Sequence, residues 1–135
     1  MKIDDIPAGR KLDALVAERV FGASRRDVWY YYDSPKNEVS ASVPHYSTDI
    51  KAAWEVVNWI EANRWTFILT GPEYLNEEGK LVGGYKAIFI DSRSERPAVR
   101  ATADTLPLAI CRAALKAVGV IEVPDSLGKI SRGIK

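Results

Sequence analysis

Four consecutive residues, His45, Tyr46, Ser47 and Thr48, place the chain's single imidazole, a phenol and two hydroxyls directly ahead of an apolar-periodic stretch. Imidazole serves as acid, base or metal ligand near neutral pH. A helix start leaves backbone N–H groups free to receive an anion. Trp29, Tyr46 or His45 offers a ring on which a base can stack, and Arg100, Arg112 or Arg93 offers a guanidinium for phosphate. Together these residues describe an aromatic–anion site, with His45, Tyr46, Ser47, Thr48, Trp29, Arg100 and Arg112 as its candidate ligand-binding set. Each also has a plain structural reading: His45 as a turn residue, Ser47 as a helix cap, Tyr46 as an apolar staple at the helix entrance and Trp54 as core.

Reactive chemistry has less material. His45 has no second histidine and no cysteine nearby, which makes a poor metal site, and no cofactor is expected. Ser47 and Asp49 flank one another without specifying a triad. Cys111 lies among small residues and reads as packed. Asp4-Asp5 and Glu77-Glu78 lie in expected termini or turns, where solvation is the default. Gly83-Gly84 lacks the spacing of a phosphate loop or dinucleotide fingerprint and reads as a bend or bulge.

The elements that must position these groups follow from periodicity. Leu12, Leu15, Val16 and Val20 form one stripe of a helix over Gly9 to Phe21, with Lys11, Asp13, Glu18 and Arg19 elsewhere around it. Asp27 to Val43, rich in aromatic and β-branched residues about a Asp33-Ser34-Pro35-Lys36-Asn37 turn, reads as a hairpin or extended arm. A second helix starts at Ser47 or Thr48 and runs to about Asn63, with Ile50, Ala53, Trp54, Val57 and Ile60 on one face. Three strands follow: Trp65 to Thr70, Gly84 to Asp91 and Ala98 to Ala103. The middle one carries Tyr85, Ala87 and Phe89 on one side and Ile88 and Ile90 on the other, which implies a sheet covered on both faces. A last helix opens at Asp104 or Thr105, accepts Pro107 in its first turn and ends at Gly119. Val120 to Val123 is a short strand or extended segment.

The chain of 135 residues is one domain by length, with 47% hydrophobic and 27% charged residues. Lys plus Arg number 19 against 18 Asp plus Glu, so no global field draws it to nucleic acid or membrane. No run is long and apolar enough to span a bilayer, and the acidic Met1-Lys2-Ile3-Asp4-Asp5 start lacks the apolar core of a signal peptide. One cysteine permits no internal disulfide, which fits a reducing cytoplasm. Residues 1–123 are expected to form the domain and 124–135 a basic, mobile tail.

Three blocks resemble the phage ABA sandwich domain, a group of small tailed-phage and prophage proteins. They are Gly9 to Ala17, Pro44 to Ile50 with Ala53-Trp54-Glu55-Val56-Val57, and Thr105 to Leu115. The resemblance implies a phage-encoded protein acting in the infected bacterial cytoplasm and a helix–sheet–helix sandwich. The expected fold is therefore α+β, a mixed or antiparallel sheet of about four or five strands with three helices. It brings no catalytic residues.

The order helix, three strands, helix from Ser47 to Val118 also follows that of a double-stranded-RNA-binding domain. That module needs lysines at the start of its last helix, where this chain has Asp104-Thr105-Leu106-Pro107, so A-form and sequence-specific nucleic-acid recognition are both disfavoured. The residues point away from an enzyme and towards a binding protein for a small nucleotide-like ligand, in its specific form a sponge for a host nucleotide-derived immune signal. The alternative is a protein–protein module, self-assembling into a homo-oligomer or inhibiting a host protein through the aromatic arm Trp29 to Tyr32. The third is a nucleotide hydrolase using His45 and a carboxylate.

Overall fold

A computed structural model describes residues 1–23 and 42–123 of the chain. The expected hairpin between Asp27 and Val43, save its last two residues, and the tail from Pro124 lie outside them. The elements are a 3-10 turn at Ile3–Asp5, helices α1 (Arg10–Arg19), α2 (Ile50–Ala62) and α3 (Leu106–Ala117), and strands β1 (Trp65–Thr70), β2 (Glu73–Leu75), β3 (Leu81–Gly83), β4 (Tyr85–Asp91) and β5 (Val99–Ala103). The α+β class, three helices, a total of five strands and the positions of β1, β4 and β5 agree with the sequence reading among the described residues. All strand pairing is antiparallel.

β4 lies between β1 and β5, and β2 pairs with β3 as a separate two-stranded ribbon. That ribbon is absent from the sequence reading because its strands are only three residues each. Asn76 makes its turn, with Oδ1 accepting the Glu78 and Lys80 N–H groups at 2.9 Å. At its base the Gly84 N–H donates to Pro72 O at 2.7 Å. A side chain at Gly71 would strike the Tyr85 ring, so the ribbon's base lies tight against β4.

Alternation places Trp65, Phe67 and Leu69 of β1, Ala87 and Phe89 of β4 and Ala101 of β5 towards the helices. α2 packs on β1, α3 on β4 and β5, and α1 on α3. α3 is therefore enclosed from several directions. Ala109, Ile110, Ala113 and Ala114 form one buried stripe, yet Leu108, Cys111 and Leu115 are buried as well, the signature of a central rather than a surface helix. Each large aliphatic side chain buried here contributes about 1.5–3 kcal/mol.

Ile68 and Ile90, on the face away from these helices, are 46% and 40% exposed among the described residues. Two expectations need correction. Trp54 is 44% exposed rather than core, its ring meeting Phe67 edge-on at 6.0 Å; Val56 takes the inward position instead. Ser47 does not cap α2. Asp49 does, its Oδ1 accepting the Lys51 N–H at 3.1 Å.

Ser47 instead serves α1. Its Oγ accepts the Gly9 N–H at 2.9 Å and donates to Asp13 Oδ1 at 2.6 Å, while its own N–H donates to the same oxygen at 2.8 Å. Asp13 is fully buried, not on the outer face, and its other oxygen accepts from Arg10 at 2.9 Å. Gly9 enters the helix at φ 154°, a conformation that favours glycine.

A second closed polar unit lies beyond β4. Asp91, 2% exposed, accepts the Arg96 side chain at 2.8 Å and the Arg93 and Arg96 N–H groups at 3.0 and 2.9 Å. Arg96 lies 4.1 Å over the Trp65 ring and also reaches Asn63 O at 3.0 Å. The Arg96 side-chain bond, reinforced by the Arg93 N–H, holds the Asp91 carboxyl well below the usual carboxylate range. Its folded-state depression gives stability that is present above the unfolded value of about 4 and lost as pH falls through the lower folded value. Wild-type Tm is therefore expected to fall below about pH 4, and Asp91→Asn to lower Tm at pH 7 while removing this component of the acid limb. Ser47→Ala, which strips partners from both Gly9 N–H and Asp13, is expected to cost about 1–3 kcal/mol in urea unfolding.

Candidate functional site

The run ahead of α2 folds as a turn. The His45 carbonyl accepts the Thr48 N–H at 3.3 Å and the Asp49 N–H at 2.9 Å, and the His45 side chain stands exposed. Tyr46 points inward, 6% exposed, with its ring stacked on Phe21 at 5.1 Å and 17°. Burial pushes its phenol up to about 12, and the charges of Glu55, Cys111 and Asp13 act in the same direction. Ser47 is consumed by Asp13 and Gly9. Asp49 brings a carboxylate to the α2 start, opposing an anion there. Thr48 is exposed. Trp29 lies outside the described residues.

Arg100 and Arg112 are positioned elsewhere, by β5 and α3. In β5 the side chains of Arg100 and Thr102 alternate away from the helices, and Lys86 stands beside Thr102 on β4. The β2–β3 ribbon brings Tyr74 over this corner, with the Lys86 Nζ 5.9 Å from its ring centroid. The result is a hollow of about 360 Å³ lined by Tyr74, Asn76, Glu77, Lys86, Arg100, Thr102, Asp4 and Lys116. A second hollow of about 240 Å³ shares Tyr74 and Thr102 and adds Arg112 and Asp104. A third, of about 520 Å³, shares Asp104 and reaches Thr48, Ile50 and Tyr85. Arg100, Arg112 and Thr48 thus lie along one line of hollows, while Tyr46 and Ser47 lie inside the fold.

The four cations of the first two hollows are in different states. The Lys116 Nζ is bound to Asp4 at 2.8 Å and to Arg100 O at 2.9 Å. Arg112 donates to Thr102 O at 3.0 Å and Ile6 O at 2.9 Å, and its Nε is buried without a hydrogen-bond partner among the described residues. Those carbonyls fix the guanidinium but leave its charge in place. Arg100 and Lys86 form no ion pair among the described residues. Tyr74, Lys86 and Thr102 line these hollows and are absent from the set read from the sequence. The alternation of Arg100 and Thr102 in an apolar strand was the available signal; the approach of Tyr74 depends on the ribbon's fold-back, which has none.

Nucleophilic or metal chemistry finds little here. Cys111 is buried, and burial followed by the charge of Asp13 raises its thiol far above the ordinary value. Among the described residues no group of three or more His, Cys, Asp or Glu is placed to hold a metal ion, and no helix is long and apolar enough to cross a membrane.

Tyr46 gives the buried turn a measurable signature. A raised folded-state value means stability is full below the unfolded value near 10 and is lost as pH rises from about 10 towards about 12. Tyr46→Phe is expected to reduce the fall of Tm between pH 10 and 12, leaving the fall due to Cys111, which begins lower and continues through this range.

No curated protein matches the sequence. A 2.0 Å crystal structure of a phage protein from Bacillus cereus ATCC 14579 is similar in fold, with a TM-score of 0.53 at 21% identity over 89% of this chain and 95% of that one. The sequence profile of the phage ABA sandwich domain matches residues 14–115, which takes in α1 from Ala14, both sheets and nearly all of α3. The chain belongs to the phage ABA sandwich domain family.

Proposed function

We propose that the protein is a non-enzymatic binding protein, phage-encoded and acting in the infected bacterial cytoplasm, that takes an anionic nucleotide-like molecule in the paired hollows beside Tyr74. The observation that carries this reading is the pair Arg100 and Lys86, which form no ion pair among the described residues and share a hollow with Tyr74 and Thr102. A phosphate seated between them gains charge-assisted hydrogen bonds, the Thr102 hydroxyl supplies another donor, and the Tyr74 ring is a platform for a base. Arg112 extends the positive potential into the adjoining hollow.

Carboxylates set the orientation. Asp4 is neutralised by Lys116, whereas Glu77 and Asp104 border the hollows and repel phosphate from those ends. A ligand therefore places its anionic groups towards Arg100 and Lys86. The specific form of the reading is a sponge that sequesters a host nucleotide-derived immune signal, because a site that holds without reacting removes a signal only by retaining it.

Isothermal titration against cyclic di- and oligonucleotides and ADP-ribose derivatives tests the reading. Binding is expected with at least one, weakened about tenfold or more by Arg100→Ala and by Lys86→Ala, since a hydrogen bond to a charged group is worth about 1.5–3 kcal/mol. Absence of heat with all of them at micromolar protein overturns it. Ligand recovered intact after heat denaturation separates binding from the hydrolase alternative.

A further inference from the structure

The second hollow beside Tyr74 holds two opposite charges that do not meet. Asp104 and Arg112 both line its volume of about 240 Å³, yet no ion pair joins them among the described residues. Arg112 is held instead by Thr102 O at 3.0 Å and Ile6 O at 2.9 Å, one bond from each Nη. Each Nη carries a second N–H that these bonds leave unused. Asp104 is exposed just past the end of β5 and pairs with no cation among the described residues. The Tyr74 ring and Leu108 supply apolar lining, suited to the faces of a flat ring. The hollow opens at the β5 edge, between the ribbon and α3, rather than on the isoleucine face of the sheet, and every residue lining it lies in the described segments. It is smaller than the about 300–1,000 Å³ of a pocket for a whole drug-sized ligand. One ring system fits it, with the remainder of the ligand in the adjoining hollow.

We propose that this hollow selects the base of the ligand and that the base is guanine. The inference rests on the anionic-ligand reading above and adds the identity of the neutral half. Asp104 repels phosphate but accepts N–H groups, and Arg112 donates to a carbonyl oxygen. Guanine alone among the common bases sets two donors side by side on its Watson–Crick edge, the N1–H and the N2 amino group, with the O6 acceptor next to them. The two oxygens of Asp104 accept both donors as charge-assisted bonds, and O6 faces an unused Arg112 N–H, a pairing guanidinium makes readily. Adenine and cytosine each place a ring-nitrogen lone pair beside their amino group, which would confront a carboxylate oxygen. Uracil offers a single N–H. Tyr74 lines both hollows, so a base stacked on its ring leaves the attached phosphate directed towards Arg100 and Lys86.

Isothermal titration of the full chain against GMP, IMP, XMP and AMP, beside cyclic di-GMP and cyclic di-AMP, provides the test. Guanine ligands are expected to bind about tenfold or more tighter than their adenine counterparts, because the adenine edge leaves Asp104 facing a lone pair. IMP, which keeps N1–H and O6 but lacks the amino group, should fall between GMP and AMP. Asp104→Asn should shift the preference from GMP towards XMP by about tenfold or more, since the C2 oxygen of xanthine accepts from the amide. That gain cannot come from a misfolded variant. Equal affinity for guanine and adenine ligands, tighter binding of adenine, or a preference that Asp104→Asn does not move overturns the base assignment. In each of those cases a uniform loss with Arg100→Ala keeps the anionic-ligand reading intact. No heat with any of these six ligands overturns the base assignment, and no heat with cyclic oligonucleotides or ADP-ribose derivatives as well overturns the reading beneath it.

Discussion

The Asp13 carboxylate is the constraint on which the arrangement of the first half rests. A buried carboxylate is tolerable only when its oxygens are hydrogen-bonded, and here the donors come from two stretches of chain. Ser47 supplies an N–H and a hydroxyl across 34 residues of sequence, and Arg10 supplies a guanidinium from the same helix. Arg10 then extends to Val43 O at 2.7 Å, so the first turn of α1 holds the whole approach to α2. That approach determines where Asp49 caps and where Tyr46 stacks on Phe21. Because the donors are shared through one carboxylate, loss of any one weakens the others.

α3 carries the constraint into the second half. Its inner side chains meet the sheet and both other helices, while its two basic residues reach outward to fixed carbonyls. Lys116 ties the 3-10 turn to the β5 edge through Asp4, and Arg112 ties Ile6 to Thr102. The chain's first residues are held additionally by backbone pairing of Met1 and Ile3 with Val123 and Ile121. The hollow beside Tyr74 is therefore bounded on the α3 side by residues with little freedom. On its other side stands the small β2–β3 ribbon, with Leu75 and Leu81 exposed.

What was legible in the sequence was what depends on local period. α1, α2, α3 and strands β1, β4 and β5 each announce themselves through spacing and bounding turn residues. What was not legible depends on partners distant in sequence. Ser47 has the chemistry of a cap and sits where a cap belongs, yet its hydroxyl accepts the Gly9 N–H in place of a local one and donates to Asp13; nothing near Asp13 marks it as anything but an outer charge. Trp54 is large and apolar, so periodicity places it inward, but α2 packs against both β1 and α3 and Val56 takes the inward position. Arg100 and Arg112 were identifiable as guanidiniums for an anion. Their association with Tyr74 rather than Tyr46 is a consequence of strand register and of the ribbon folding back, which residue types do not encode.

The cations divide between those bound into the framework and those that are not. β5 is an edge strand, and an edge with open carbonyls and N–H groups invites pairing with any extended chain. Here α3 occupies that edge with Lys116 and Arg112, spending their hydrogen bonds on neutral carbonyls. Arg100 and Lys86, which project from the sheet face, are not drawn into this framework. Backbone pairing at those two β5 carbonyls is thereby obstructed, while the charge of Arg100 and Lys86 stays on the sheet face. Replacing Lys116 would alter both properties at once, releasing Asp4 to repel an anion and uncovering the Arg100 carbonyl. The framework cations thus satisfy the Arg100 and Thr102 carbonyls and neutralise Asp4, and leave Arg100 and Lys86 outside that framework.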